Sequence, residues 1–94
     1  MFNIEITASN EIILSGRFDA SQTEKAKEVL DTVTDSAVVN FKDLEYISSA
    51  GLGTLFAAQK RLRSSGKGLK LVNMNSHIRD VFRYARFELV FEIG

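Results

Sequence analysis

Two adjacent serines, Ser48 and Ser49, stand where a strand-forming stretch gives way to a helix-forming one, and no other side chains are as well placed for chemistry. A serine can be a nucleophile, a phosphate acceptor or a helix cap, and its surroundings decide which. The nucleophile reading fails, because the G-x-S-x-G turn that presents a catalytic serine would need glycine at position 47, where Ile47 stands. The single histidine, His77, falls near the start of a different helix, and one histidine with no cysteine leaves no zinc site. Gly51-Leu52-Gly53 lacks the third glycine of a dinucleotide loop, Phe56 occupying that place, and Gly66-Lys67-Gly68 follows a helix instead of opening one. The basic run from Lys60 to Lys67 has no interspersed aromatics for stacking bases, so it reads as a solvated helix end that complements the dipole. No two acidic residues are forced together by spacing, which leaves acid–base chemistry without an anchor. The serines remain as N-cap candidates. Gly51 and Gly53 each cost a helix about 1 kcal/mol relative to alanine. Small residues in a first turn permit another backbone or side chain to approach closely, either from within the fold or from a partner.

The elements that must position these serines can be read from periodicity. Phe2, Ile4, Ile6 and Ala8 alternate with polar residues, as a half-buried strand requires. Ser9-Asn10 suits a hairpin turn, and Glu11 to Gly16 forms a second strand. Asp19-Ala20-Ser21 opens a helix, with Ser21 and Glu24 spaced as a capping box and Asp19 with Gln22 as a competing cap. Ala26, Val29, Leu30 and Val33 repeat at helical spacing on its inner face. Ala37 to Phe41 is short, β-branched and almost continuously apolar, which predicts a strand buried on both faces. A loop holding Asp43, Tyr46 and Ile47 then leads to the serines. The second helix carries Leu52, Leu55, Phe56 and Leu62 inward, with Gln59 as a polar interruption, and ends at Ser64-Ser65-Gly66. Leu69 to Val72 is a fourth strand, and Asn75-Ser76 caps a third helix with Ile78, Val81, Phe82 and Ala85 on its apolar face. Leu89 to Ile93 forms a short last strand or an extended tail. The order ββαβαβα(β) predicts one α/β domain over residues 1–94. Its mixed sheet has four or five strands, the first antiparallel and the rest parallel.

Composition narrows the function classes. Twelve basic residues balance twelve acidic ones, so no whole-molecule field draws the chain to nucleic acid or to an anionic membrane. The 45% hydrophobic and 26% charged content is that of a soluble globular domain. The absence of cysteine fits a reducing compartment. Neither a signal peptide at Met1-Phe2-Asn3 nor an apolar run long enough to cross a bilayer is visible, so a cytoplasmic protein without direct membrane insertion is expected.

At this point the sequence resembles the STAS family, specifically its anti-sigma factor antagonists, over essentially the whole chain. Leu14-Ser15-Gly16-Arg17-Phe18-Asp19 is similar to the family's ending of the second strand. Phe41 to Leu52, with Asn40 before it, is similar to the central signature, in which an acceptor serine stands two residues before a G-L pair. That register lands on Ser49, with Ser48 as the second choice. Asn40 and Ser48 stand where the family pattern commonly has aspartate, and Asp19 matches an acid common after the second strand. The resemblance implies a binding module and not an enzyme. It would carry no cofactor of its own and act as a monomer or weak dimer. Unphosphorylated, it would bind an anti-sigma factor with serine kinase activity and so free the sigma factor. Phosphorylation would end the binding, and a serine phosphatase would reverse it. Asp19, Ser48, Ser49, Ala50, Gly51 and Gly53 are then the expected partner contacts. The family also includes STAS modules of lipid or anion transporter complexes and of stress-signalling scaffolds, which is the alternative role.

Overall fold

A computed structural model describes all of residues 1–94. Its elements are β1 (Asn3–Ile6), β2 (Glu11–Phe18), α1 (Thr23–Leu30), β3 (Ala37–Ile47), α2 (Ser49–Arg63), β4 (Leu69–Val72), α3 (Ser76–Tyr84) and β5 (Glu92–Ile93). Short 3-10 turns fill Ala20–Gln22 and Phe87–Leu89. The five strands lie side by side in chain order, β1-β2-β3-β4-β5, with β1 antiparallel to β2 and every later pair parallel. The expected class and strand directions are therefore those of the molecule.

The chain-order sheet has a consequence for burial. Crossovers between parallel strands are right-handed, and when each moves one place in the same direction they all fall on the same side of the sheet. Helices cover one face only. Along β2 the inward residues Ile12, Leu14 and Phe18 are fully buried, while Ile13 and Ser15 are half-buried and Arg17 is exposed on the other face. This corrects the expectation that β3 is buried on both faces: Val38 and Asn40 look out from the uncovered side and are half-buried. The core is one cluster between sheet and helices, tied by Phe2 stacked on Phe18 at 4.5 Å and by Phe82 edge-on to both Phe41 and Phe91. No helix is long and apolar enough to cross a membrane.

β3 also differs from expectation, running unbroken to Ile47 where a loop was predicted after Phe41. Its register against β2 slips twice, once between the Ile13–Asn40 and Ser15–Asp43 pairs and again between Gly16–Leu44 and Arg17–Tyr46. Each slip is a β-bulge that inserts one extra residue into β3. Strict alternation would send Asp43 and Glu45 into the core. With the bulges, the inward set becomes Phe41, Leu44 and Ile47, all buried, and the two acids stay exposed. That spacing of three conceals the strand from a period-2 reading.

The remaining differences are at element ends. Asp19 wins the competition to cap, receiving the Ser21 amide, so the segment begins as a 3-10 turn and the Ser21–Glu24 capping box does not form. Asn75 caps α3 by accepting from the Ile78 amide, and Gly66 takes the left-handed conformation after α2, both as expected. Leu89 and Val90 lie in and after a 3-10 turn, which leaves Glu92–Ile93 as the last strand.

Gly16 meets two constraints together. Its φ is +81°, and a Cβ there would sit 1.6 Å from the Met1 carbonyl oxygen. Gly16→Ala is expected to lower stability by about 1–3 kcal/mol, since the strained backbone alone costs that much. Urea unfolding of the variant against wild type measures it.

Candidate functional site

The β4 register ends at Asn40–Val72, so β3 from Phe41 onward is paired with β2 alone. This two-stranded extension, Ser15–Phe18 with Asp43–Ile47, carries the serines at its tip. Phe18 and Ile47 are partners in register, and the next amide along, that of Ser48, donates to the Phe18 carbonyl at 2.9 Å. Ser48 is still extended, with φ −87° and ψ 168°, and it is the N-cap of α2. Its Oγ accepts from the Gly51 amide at 3.0 Å, and its carbonyl accepts from the Leu52 amide at 2.9 Å. Half-buried and bonded in this way, the Ser48 hydroxyl is occupied. Ser49 is the first residue of the helix and is exposed, as is Ala50 after it. Of the two N-cap candidates, the structure makes Ser48 the cap and leaves Ser49 facing solvent.

The two glycines part company. Gly51 is buried, and a Cβ on it would lie 3.0 Å from both the Phe18 carbonyl and the Ile47 side chain. Its small size therefore lets α2 seat closely on the ends of β2 and β3. Gly53 has open space where a Cβ would be. It lines a groove of about 520 Å³ between α1 and α2, together with Thr23, Lys27, Ala50, Ala57 and Arg61. The Arg61 guanidinium donates to the Leu30 and Val33 carbonyls at 2.9 and 2.8 Å, so this cation holds the end of α1. Lys27 is paired with Asp31 at 2.7 Å.

Asp19 follows Phe18 directly and so belongs to the same strand-end rim as Ser48. Its carboxylate is turned to its own 3-10 turn, accepting from the Ser21 hydroxyl at 2.6 Å and the Ser21 amide at 3.1 Å. The Ser21 hydroxyl is the main reason that the Asp19 pKa lies below the ordinary carboxylate value. Its hydrogen bonds go to neither serine of the pair. His77 is exposed in the first turn of α3, a different helix from the one the serines begin. Two features beside the site escaped sequence reasoning because the bulges hid their register. The Arg17 guanidinium stacks 4.5 Å above the Tyr46 ring on the uncovered face, and the Asn40 amide bridges three elements.

Comparisons with known proteins agree on a family. The family model described as "Mlab, STAS domain" matches residues 5–91. BtrV of Bordetella bronchiseptica, named as a candidate anti-sigma factor antagonist, is 30% identical over 83 residues, spanning 88% of this chain and 71% of that protein. A candidate anti-sigma factor antagonist from Thermotoga maritima superposes with a TM-score of 0.80 at 21% identity, over 98% of this chain and 84% of that one. The anti-sigma factor antagonist SpoIIAA, in its unphosphorylated form, superposes over all of this chain and 87% of its own with a TM-score of 0.73 at 20% identity. The phosphorylated form of SpoIIAA, from Bacillus, gives 0.71.

Four substitutions separate the roles assigned to the helix start. Ser48→Ala should cost about 1 kcal/mol through loss of the cap, whereas Ser49→Ala at an exposed position should stay within about 0.5 kcal/mol of wild type. Gly53→Ala should stabilise by about 0.4–1 kcal/mol, because the site is open and helical. Gly51→Ala should destabilise by about 1–3 kcal/mol, because the new methyl meets a backbone oxygen. Chemical denaturation of the set measures all four. The lowered pKa of Asp19 gives a pH dependence as well. Its contribution to stability is present above the ordinary carboxylate range and is lost as pH falls through the lower folded value. Ser21→Ala should raise the Asp19 midpoint toward that ordinary range, as carboxyl-carbon NMR titration would show.

Proposed function

The chain belongs to the STAS family of anti-sigma factor antagonists, and from that premise we propose that it binds an anti-sigma factor while Ser49 is unmodified and releases it when Ser49 is phosphorylated. The observation that carries this reading is the division of labour at the start of α2. One serine is committed to the cap, and the next presents a free, exposed hydroxyl on the helix N-terminus. A kinase could reach Ser49 without disturbing the fold. Ser48 Oγ is half-buried and already accepts from the Gly51 amide, so a phosphate there would need room that the exposed Ser49 hydroxyl already has.

The physical chemistry supports a switch at this atom. A phosphoserine brings about −1.5 to −2 charges and three strong acceptors. The helix dipole favours that charge by about 0.3–1 kcal/mol at an exposed site, and the first turn of α2 holds no acidic residue to oppose it. The domain therefore tolerates the modification. A partner pressed against Ser49, Ala50 and Gly53 does not, since a dianion and its water would arrive where small neutral groups had been. An interface penalty of about 2.7 kcal/mol lowers affinity a hundredfold. SpoIIAA, which has this fold, is known in both unphosphorylated and phosphorylated forms. Asp19 and Gly51 act one step back in this scheme: the first caps the turn beside the rim, and the second lets the helix seat.

The partner in this reading is an anti-sigma factor that is itself a serine kinase, holding the nucleotide and magnesium, and a serine phosphatase resets the switch in the cytosol. This chain is the substrate and the binding surface, not the enzyme. A pull-down from native cytosol with wild type, Ser49→Ala and Ser49→Asp as baits tests it. Recovery of an anti-sigma kinase by the first two, with at least a hundredfold loss for Ser49→Asp, is the expected result. Equal recovery by all three baits of transporter or scaffold subunits would overturn it in favour of a constitutive STAS docking module.

A further inference from the structure

We infer that Asn40 is a positioning residue for the Ser48–Ser49 site, acting through the first bulge of β3. Its side chain is half-buried in mid-strand and makes three hydrogen bonds to three different parts of the chain. The Oδ1 atom accepts from the Lys42 amide at 2.9 Å and from the Asn73 side-chain amide at 3.2 Å. The Nδ2 group donates to a Glu11 carboxylate oxygen at 2.9 Å. A backbone N–H can only donate and an ionised carboxylate can only accept, so these partners fix the orientation of the Asn40 amide.

The Lys42 bond is the one that reaches the site. Lys42 lies in the first bulge, between the Ile13–Asn40 and Ser15–Asp43 pairs, where a β-bulge locally disrupts the ladder. The Asn40 carbonyl supplies a side-chain acceptor for that amide. The slip begun there is the first of the two that bring Ile47 opposite Phe18 and set the Ser48 amide on the Phe18 carbonyl. Without it, the tip of the ribbon would be one residue out of register, and a shift of one turns inward side chains outward. Glu11 and Asn73 hold the same amide from the start of β2 and from the turn after β4, a residue with φ +61°. Both roles must be filled at once at this position: an acceptor for Lys42 and a donor for Glu11. An aspartate would keep the first and set two carboxylates face to face, and an alanine would keep neither.

The inference rests on the proposed function only in treating the serine pair as the working site. Its test reads geometry and needs no phosphorylation, so it stands or falls separately. Amide hydrogen exchange is followed at Lys42, Ser48 and Gly51, with Leu71 in the core as reference, in Asn40→Ala, Asn40→Asp and Asn40→Asp combined with Glu11→Gln. In Asn40→Ala, exchange at the three site amides should accelerate at least tenfold more than at Leu71. In Asn40→Asp, those amides should keep their protection relative to Leu71 while Tm falls by about 4–8 °C from the carboxylate pair. Adding Glu11→Gln should restore most of that loss. The proposal is overturned if Ser48 and Gly51 accelerate in Asn40→Ala only as much as Leu71 does. Should Asn40→Ala fail to fold, loss of Ser48 protection in the foldable double variant overturns it equally, because the acceptor for Lys42 is still present there.

Discussion

The stride of β3 governs the rest of this molecule. Six and eight residues after Ala37 the strand would, under simple alternation, have pushed two carboxylates into an apolar core, a burial no small domain can sustain unpaired. Two inserted residues convert that conflict into a three-residue spacing that buries Phe41, Leu44 and Ile47 and leaves Asp43 and Glu45 in water. The same insertions return the strand to β2 at the Phe18–Ile47 pair, from which the Ser48 amide reaches the Phe18 carbonyl. The start of α2, the seating of Gly51 and the presentation of Ser49 all follow from where that one strand ends.

The site combines a rigid base with an accessible tip. The cap oxygen, the cap amide and the buried glycine are each committed to a bond or a close contact. One residue further along, the backbone is the beginning of a regular helix and the side chain is free. A modification at such a place changes charge and shape on the surface without asking the core to repack, as a reversible signal requires. The small residues that follow, Ala50, Gly53 and Ala57, keep the adjoining groove between α1 and α2 shallow in side chain and open to solvent.

Most of the architecture was legible in the sequence because most of its elements obey a simple period. The alternation of β1, the heptad-like faces of α2 and α3, the Asn75 cap and the Gly66 stop each carry a local physical cause. The serine pair was legible as a cap site, and the family resemblance supplied the choice of acceptor. The second half of β3 was not, since a strand whose inward residues lie three apart has the spacing of neither strand nor loop. The open face of the sheet was missed for a different reason: it depends on the order of strands in space, to which a run such as Ala37 to Phe41 is blind. The choice between Asp19 and Ser21 as cap turned on three-dimensional detail, because Asp19 already sits at the rim where β2 ends and can take both the amide and the hydroxyl of Ser21.

Strand order also bears on how the chain comes to its shape. Each strand pairs with the one that precedes it in sequence, and no strand waits for a distant segment to arrive between existing neighbours. Loops to be closed are therefore short on the scale of the chain, which places the molecule toward the faster end for a mixed α/β domain. A growing chain can lay down the hairpin first and then add one strand and one helix at a time, in the order of synthesis. The β2–β3 ribbon and the start of α2 would be assembled before the last third of the protein has left the ribosome.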